Sequence, residues 1–190
     1  NPATDEVEVV NYSAGTHKGL TAKVQVLNMD ASVAWEKEAT VDINEDTTDK
    51  CIKLEFPENL SKVHFIKMTL TEDGKVVSDN FYHRSLEENN YQDLCQLAKV
   101  ALQSATTVDK NADGTWSAVS VIENKTSTPA LMIRLNVVDG KDDQQILPVF
   151  YSDNYFSLLP GEKKEVRMSW RDEDTRGNEG KVLITGYNVE

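Results

Sequence analysis

Apolar and polar residues alternate along almost the whole chain, and any fold must accommodate that period of two. Leu20, Ala22, Val24 and Val26 share one parity, and Thr21, Lys23 and Gln25 the other, as in a strand buried on one face. The pattern returns from Val33 and Trp35 through Ala39, Val41 and Ile43, then at Ile52, Leu54 and Phe56, and again at Ile66, Met68 and Leu70. With an entry strand at 7–12 and an exit strand at 76–82, this predicts six strands at the turn spacing of a β-sandwich. Between the last two strands, Asp73-Gly74 is the pair a type I′ hairpin requires, because both central residues take positive φ. Cys51 alternates out of phase with Ile52, Leu54 and Phe56, which places it on the polar face of its strand.

After Arg84 the period changes. Tyr91, Leu94, Cys95 and Ala98 fall at i, i+3, i+4 and i+7, the spacing of a short helix, with Asn89 or Asn90 as its cap. Strands resume at 100–108, 115–122, 131–138, 146–151, 166–170 and 181–189. On the third of these, Leu131, Ile133, Leu135 and Val137 occupy one face. The expected architecture is all-β: one sandwich over 1–86, a linker with a helical turn over 87–98, and a second sandwich over 99–190. No residue-level repeat between the halves is evident in the sequence.

A chain of 190 residues is too short for a (β/α)₈ barrel, which needs about 250. Its 32 acidic and 20 basic residues give a net charge of −12 and no basic stripe, which argues against nucleic-acid and anionic-membrane partners. There is no apolar run long enough for a transmembrane helix. Neither an initiator Met nor a signal-like apolar stretch opens the chain, so it reads as a processed product or a cut from a longer one. Two cysteines, Cys51 and Cys95, are too few for a disulfide framework, and neither has a Cys or His at zinc-ligand spacing.

Motifs for chemistry are sparse. Asp109-Lys110-Asn111-Ala112-Asp113-Gly114 matches the first half of a calcium loop, but position twelve is Ser120 instead of Glu, so the stretch reads as a polar hairpin. Asp172-Glu173-Asp174 beside Arg171 and Arg176 reads as a solvated, salt-bridged loop. His17 lies in a Gly-rich turn, and His64 shares parity with Ile66 and Met68, as a strand-end core residue would. No G-x-S-x-G elbow nominates a catalytic serine, and no Gly-rich loop nominates a nucleotide site. Trp35 and Trp170 share parity with core residues. Trp116, beside the Asp113-Gly114 turn, is ambiguous; core packing is the favoured reading, given the area an indole buries, and stacking on a sugar is the alternative.

Two longer stretches carry a family resemblance. The first is Val63-His64-Phe65-Ile66-Lys67-Met68-Thr69-Leu70, then Asp73-Gly74, then Val77-Ser78-Asp79-Asn80-Phe81-Tyr82. The second runs from Val121-Ile122-Glu123-Asn124-Lys125-Thr126 to Pro148-Val149-Phe150-Tyr151-Ser152-Asp153-Asn154-Tyr155-Phe156-Ser157-Leu158-Leu159-Pro160-Gly161-Glu162. Together they resemble the immunoglobulin-like domains that follow the barrel in glycoside hydrolase family 2, in its β-mannosidase and exo-β-D-glucosaminidase branch. His83 stands where family members commonly carry Trp.

The resemblance implies two consecutive immunoglobulin-like sandwiches from a periplasmic or extracellular β-glycosidase, non-catalytic by themselves, that brace the barrel and wall its cleft. The family's catalytic glutamates lie on the barrel, so no catalytic, cofactor-binding or metal-binding residue is carried over. The implied partner is the catalytic barrel of the same parent chain. A glycan is a second partner, touched by Trp116 or by Asp153, Asn154 and Tyr155, which equally form an ordered corner. The alternative is a carbohydrate-binding or adhesion-type sandwich pair with no enzyme attached.

Overall fold

The computed structural model describes residues 1–190, which divide into two compact units, 1–96 and 97–190. Each unit is built from antiparallel sheets, with only short 3-10 turns besides.

In the first unit β1 (Glu6–Asn11) pairs with β4 (Thr47–Lys53) in a two-stranded sheet. The larger sheet has the order β3 (Val33–Ile43), β2 (His17–Asn28), β5 (Val63–Glu72), β6 (Lys75–Ser85). Val7, Val9 and Ile52 of the small sheet pack on Leu20, Ala22, Val24, Val41, Ile43 and Ile66 of the large one. Each Val, Leu or Ile among them contributes about 1.5–3 kcal/mol on full burial. Asp73 and Gly74 take φ of +49° and +75°, the left-handed pair expected of the β5–β6 turn.

Two local expectations need correction. The strand expected around Ile52–Phe56 lies earlier, because the chain leaves the ladder with β1 at Lys53. Val7 pairs with Ile52 and Glu8 with Lys50, so Cys51 is the extra residue of a bulge. That breaks the alternation. Cys51 is therefore half-buried against the core, its thiol donating to the Val7 carbonyl at 3.4 Å, and burial pushes its pKa up. The helix expected at 91–98 is a 3-10 turn at Gln92–Gln96 with no buried residue; the i, i+3 spacing that suggested it serves either helix type.

His64 is 2% exposed and packs edge-on to Phe56, with neither ring nitrogen hydrogen-bonded. His83 packs edge-on to Phe65 and Phe81. Burial pushes both below the usual histidine range; at His64 the nearby Arg84 charge adds to this, and burial outweighs the opposing backbone of Lys62 and Ser61. A histidine held neutral in the folded state contributes stability fully above its unfolded value of about 6.5, and that contribution is lost as pH falls through the folded pKa.

The second unit has no histidine. Its lowered carboxyls include Asp113, Asp139 and Asp172, held down by Thr115, by the Lys141 amide with Asn178, and by Lys110 with Trp116 respectively. Their contribution persists down to about pH 4. The first unit should therefore lose stability as the pH falls from about 6.5 toward 4, while the second holds over that range. Urea unfolding of each unit at the two pH values checks this, and His64→Phe should flatten the slope. Equal losses in both units would contradict it.

In the second unit β10 (Phe150–Tyr151), β12 (Lys163–Arg171), β8 (Thr115–Glu123) and β7 (Gln103–Lys110) form one sheet in that order. β11 (Phe156–Leu158), β9 (Ala130–Asp139) and β13 (Gly180–Thr185) form the other. Leu131, Ile133, Leu135 and Val137 are all buried along β9, as their parity requires. The expected strand at 146–151 shrinks to two residues, since Pro148 has no N–H to give a ladder. The expected strands at 100–108 and 181–189 are shorter too; Val100 and Val189 instead meet in an isolated parallel bridge. The stretch 109–114 is the end of β7 and the hairpin turn after it, closed by the Asn111 amide donating to the Thr115 carbonyl at 2.8 Å, with Gly114 at φ +82°.

One motif occurs in both units. Asn11 follows the Val9–Val10 run of β1, and its buried amide donates to the carbonyls of Gly15 and Asn44, while its Oδ1 accepts from the Ser13 amide and hydroxyl. Asn124, just past β8, does the same with the carbonyls of Thr128 and Leu158 and with the Thr126 amide and hydroxyl. In each case the bonds reach residues i+2 and i+4 and a carbonyl just ahead of the partner strand, β4 or β12. The halves do share a residue-level element, spread too thinly to show as a repeat.

Candidate functional site

The sites named from sequence lie apart. β8 and β12 pair in register from Lys163↔Glu123 to Arg171↔Thr115. Trp116 lies near one end of this ladder, paired with Trp170, whereas Asp153 is ion-paired to Lys164, opposite Ile122. Six residues of strand separate them, about 20 Å at 3.4 Å per residue.

Trp116 is a core residue. It is 9% exposed, its ring lies parallel to that of Trp170 at 6.4 Å, and its Nε1 donates to Asp172 Oδ1 at 2.7 Å. The Lys110 ammonium sits over the ring at 5.3 Å and also pairs with Asp172 at 2.8 Å. So covered, the indole offers a sugar no open face. The acidic run 172–174 is ion-paired as expected, Arg171 reaching Glu173 and Asp174, and Asp172 also caps the indole, which charge patterning did not reveal.

Asp153, Asn154 and Tyr155 turn a corner between β10 and β11. Asn154 Oδ1 accepts from the Leu135 amide at 2.8 Å and its Nδ2 donates to the Leu135 carbonyl at 2.9 Å, so the side chain mimics one rung of a ladder on β9. Asp153 accepts from the Asn154 amide. Tyr155, at φ +59°, is 60% exposed with the Arg134 guanidinium 5.8 Å from its ring centre. Of the four candidates it alone offers a ring to solvent.

The geometry also shows a constellation that sequence reading missed. Ser13 Oγ lies 3.0 Å from His17 Nε2, and His17 Nδ1 lies 2.8 Å from Glu72 Oε1. The order matches a serine-nucleophile triad. Two observations assign it a different role. The Ser13 hydroxyl proton has a shorter path to Asn11 Oδ1, at 2.7 Å. The amides that would form an oxyanion hole are engaged, that of Ser13 by Asn11 Oδ1 and that of Gly15 by Glu45 Oε2. The three side chains instead clasp the end of β1, the start of β2 and the end of β5. No sequence signal could have joined Glu72 to a turn 55 residues earlier. No group of three or more His, Cys, Asp or Glu side chains is arranged to hold a metal ion.

Comparison with known proteins supplies what the geometry does not. Residues 80–189, more than half of the chain, match the model of the exo-β-D-glucosaminidase Ig-fold domain. The chain belongs to this exo-β-D-glucosaminidase Ig-fold family. Ahead of that segment, residues 5–85 match the mannosidase Ig/CBM-like domain. The exo-β-D-glucosaminidase of Streptomyces avermitilis is 30% identical over 96% of this chain and 23% of its own length. That of Arthroderma benhamiae is 26% identical over 97% and 22%. The crystal structure of the Amycolatopsis orientalis exo-chitosanase CsxA superposes with a TM-score of 0.89 at 26% identity, covering 97% of this chain and 24% of that one. The chain thus spans less than a quarter of the length of these relatives, and two Ig-like modules account for nearly all of it.

Proposed function

We propose that this chain is the non-catalytic C-terminal accessory region of an exo-acting β-glycosidase of the exo-β-D-glucosaminidase type. It braces the catalytic barrel of the same parent chain and walls the substrate cleft, in a periplasmic or extracellular enzyme. The observation that carries the reading is the match of both modules, in order and over nearly the whole chain, to relatives named exo-β-D-glucosaminidase and more than four times as long. The purified chain should not release p-nitrophenol from p-nitrophenyl β-D-glucosaminide, and the full gene product should. Turnover by the chain alone that a single carboxylate substitution abolishes would overturn the proposal.

A further inference from the structure

The shared asparagine corner makes the two sandwiches comparable strand by strand, and the comparison exposes one difference. β8 and β1 both run into the corner, and both pair with the strand that follows the carbonyl it holds, β12 and β4. β8 pairs along its other edge with β7, from Gln103↔Glu123 to Lys110↔Trp116. β1 has no such neighbour, since its sheet is β1 and β4 alone.

The space beside β1 is open. Adjoining grooves run along β1 above β5 and β6. Ile66, Met68 and Leu70 of β5 form part of their floor, and the register sets Tyr82, Asn80 and Ser78 of β6 beside them on the same face. These three β6 residues face the inside of a sandwich yet stay exposed, Tyr82 at 50%. A strand laid here would find ladder partners on the edge of β1 and an apolar floor for alternate side chains.

The chain's own first residue already marks the register. The Asn1 nitrogen donates to the Glu6 carbonyl at 2.9 Å, and Asn1 Nδ2 reaches Glu8 Oε1 at 3.3 Å. The four residues between, Pro2 to Asp5, make the turn, with Asp5 at φ +54°. The β7–β8 hairpin of the second unit closes in the same way, through the amide of Asn111 and the carbonyl of Thr115. Asn1 and Pro2 themselves line one end of the groove, so polypeptide leading into Asn1 would enter it beside β1.

We propose that the segment leading into Asn1 in the longer protein forms a strand antiparallel to β1, filling this groove and completing the first sandwich as β7 completes the second. The inference rests on the reading that the chain is part of a longer glycosidase. The matched relatives have more than three quarters of their length outside the match, ample for such a segment. A second copy of this chain fits the edge poorly: β1 paired with another β1 gathers four carboxylates, from Glu6 and Glu8 of each, on molecules of net charge −12.

The test compares this chain with the full gene product by amide hydrogen exchange. β1 amides should be protected about 100-fold more in the longer protein. Asn80→Cys, read by peptide mass so that Cys51 and Cys95 are scored separately, should react with a maleimide about tenfold more slowly there. Equal exchange and equal labelling in the two forms would overturn the proposal. So would β1 protection in the short chain that grows with its concentration, which assigns the edge to a second copy. Glucosaminidase assay of the same longer protein separates this inference from the functional one. An active enzyme with an open β1 edge overturns the strand alone, and a protected edge in a protein without glycosidase activity overturns the function alone.

Discussion

Trp170→Ala should cost the second sandwich about 3–5 kcal/mol, the range for deleting a buried aromatic, and leave the first sandwich unchanged. Trp170 is 2% exposed, pairs across strands with Trp116, and fills a site shaped around it. A Cβ added at Gly180 would lie 2.9 Å from its Cζ2 and 3.2 Å from Ile146 Cδ1, so β13 carries glycine where the indole presses against the backbone. The loss approaches the whole stability of an ordinary domain, about 5–15 kcal/mol. Urea unfolding with exchange protection read separately in each unit measures it. The indole Nε1 has no hydrogen-bond partner, so Trp170→Phe deletes an unsatisfied donor while keeping a ring, and should cost less than about 2 kcal/mol. A loss below about 1 kcal/mol in the alanine variant would show that the site collapses around the gap.

Asn124→Ala should cost about 3 kcal/mol, since at a fully buried position it takes the side-chain partner from the Leu158 carbonyl and the Thr126 amide and leaves the Thr128 carbonyl only the Thr126 hydroxyl. Thr126→Ala removes only the hydroxyl bonds and should cost about 1 kcal/mol. Asn11→Ala is the matching test in the first unit, where the same three kinds of bond are made. Denaturation midpoints should fall only in the unit that carries the substitution. A loss shared by both units, or a threonine variant as damaged as the asparagine variant, would refute the corner as an independent pin of each sandwich.

The strands were legible because a half-buried strand must alternate, and β9 follows its parity from Leu131 to Val137. Legibility failed where a single residue shifts that phase. The bulge at Cys51 moves β4 off its expected place, and no local pattern announces a bulge, because it is set by the pairing with β1. Trp116 was ambiguous from its place beside a turn, and what settles its burial is Asp172, 56 residues away, accepting from its Nε1. The Asn154 corner was readable as a corner or a contact, and the bonds to Leu135 come from another strand. The clasp of Ser13, His17 and Glu72 likewise joins residues only the topology brings together.

The asparagine corners also bear on where the protein can be made. Asn11-Tyr12-Ser13 and Asn124-Lys125-Thr126 have the form recognised for N-linked glycosylation, as does the exposed Asn59-Leu60-Ser61. In the folded protein the first two amides are buried and committed to backbone carbonyls, so only Asn59 is presentable. A eukaryotic secretory host acts on chains that are still folding, when all three asparagines are within reach. An oligosaccharide placed there on Asn11 or Asn124 would take one of the two amide hydrogens that the corner uses, which makes a bacterial host the safer source of native material.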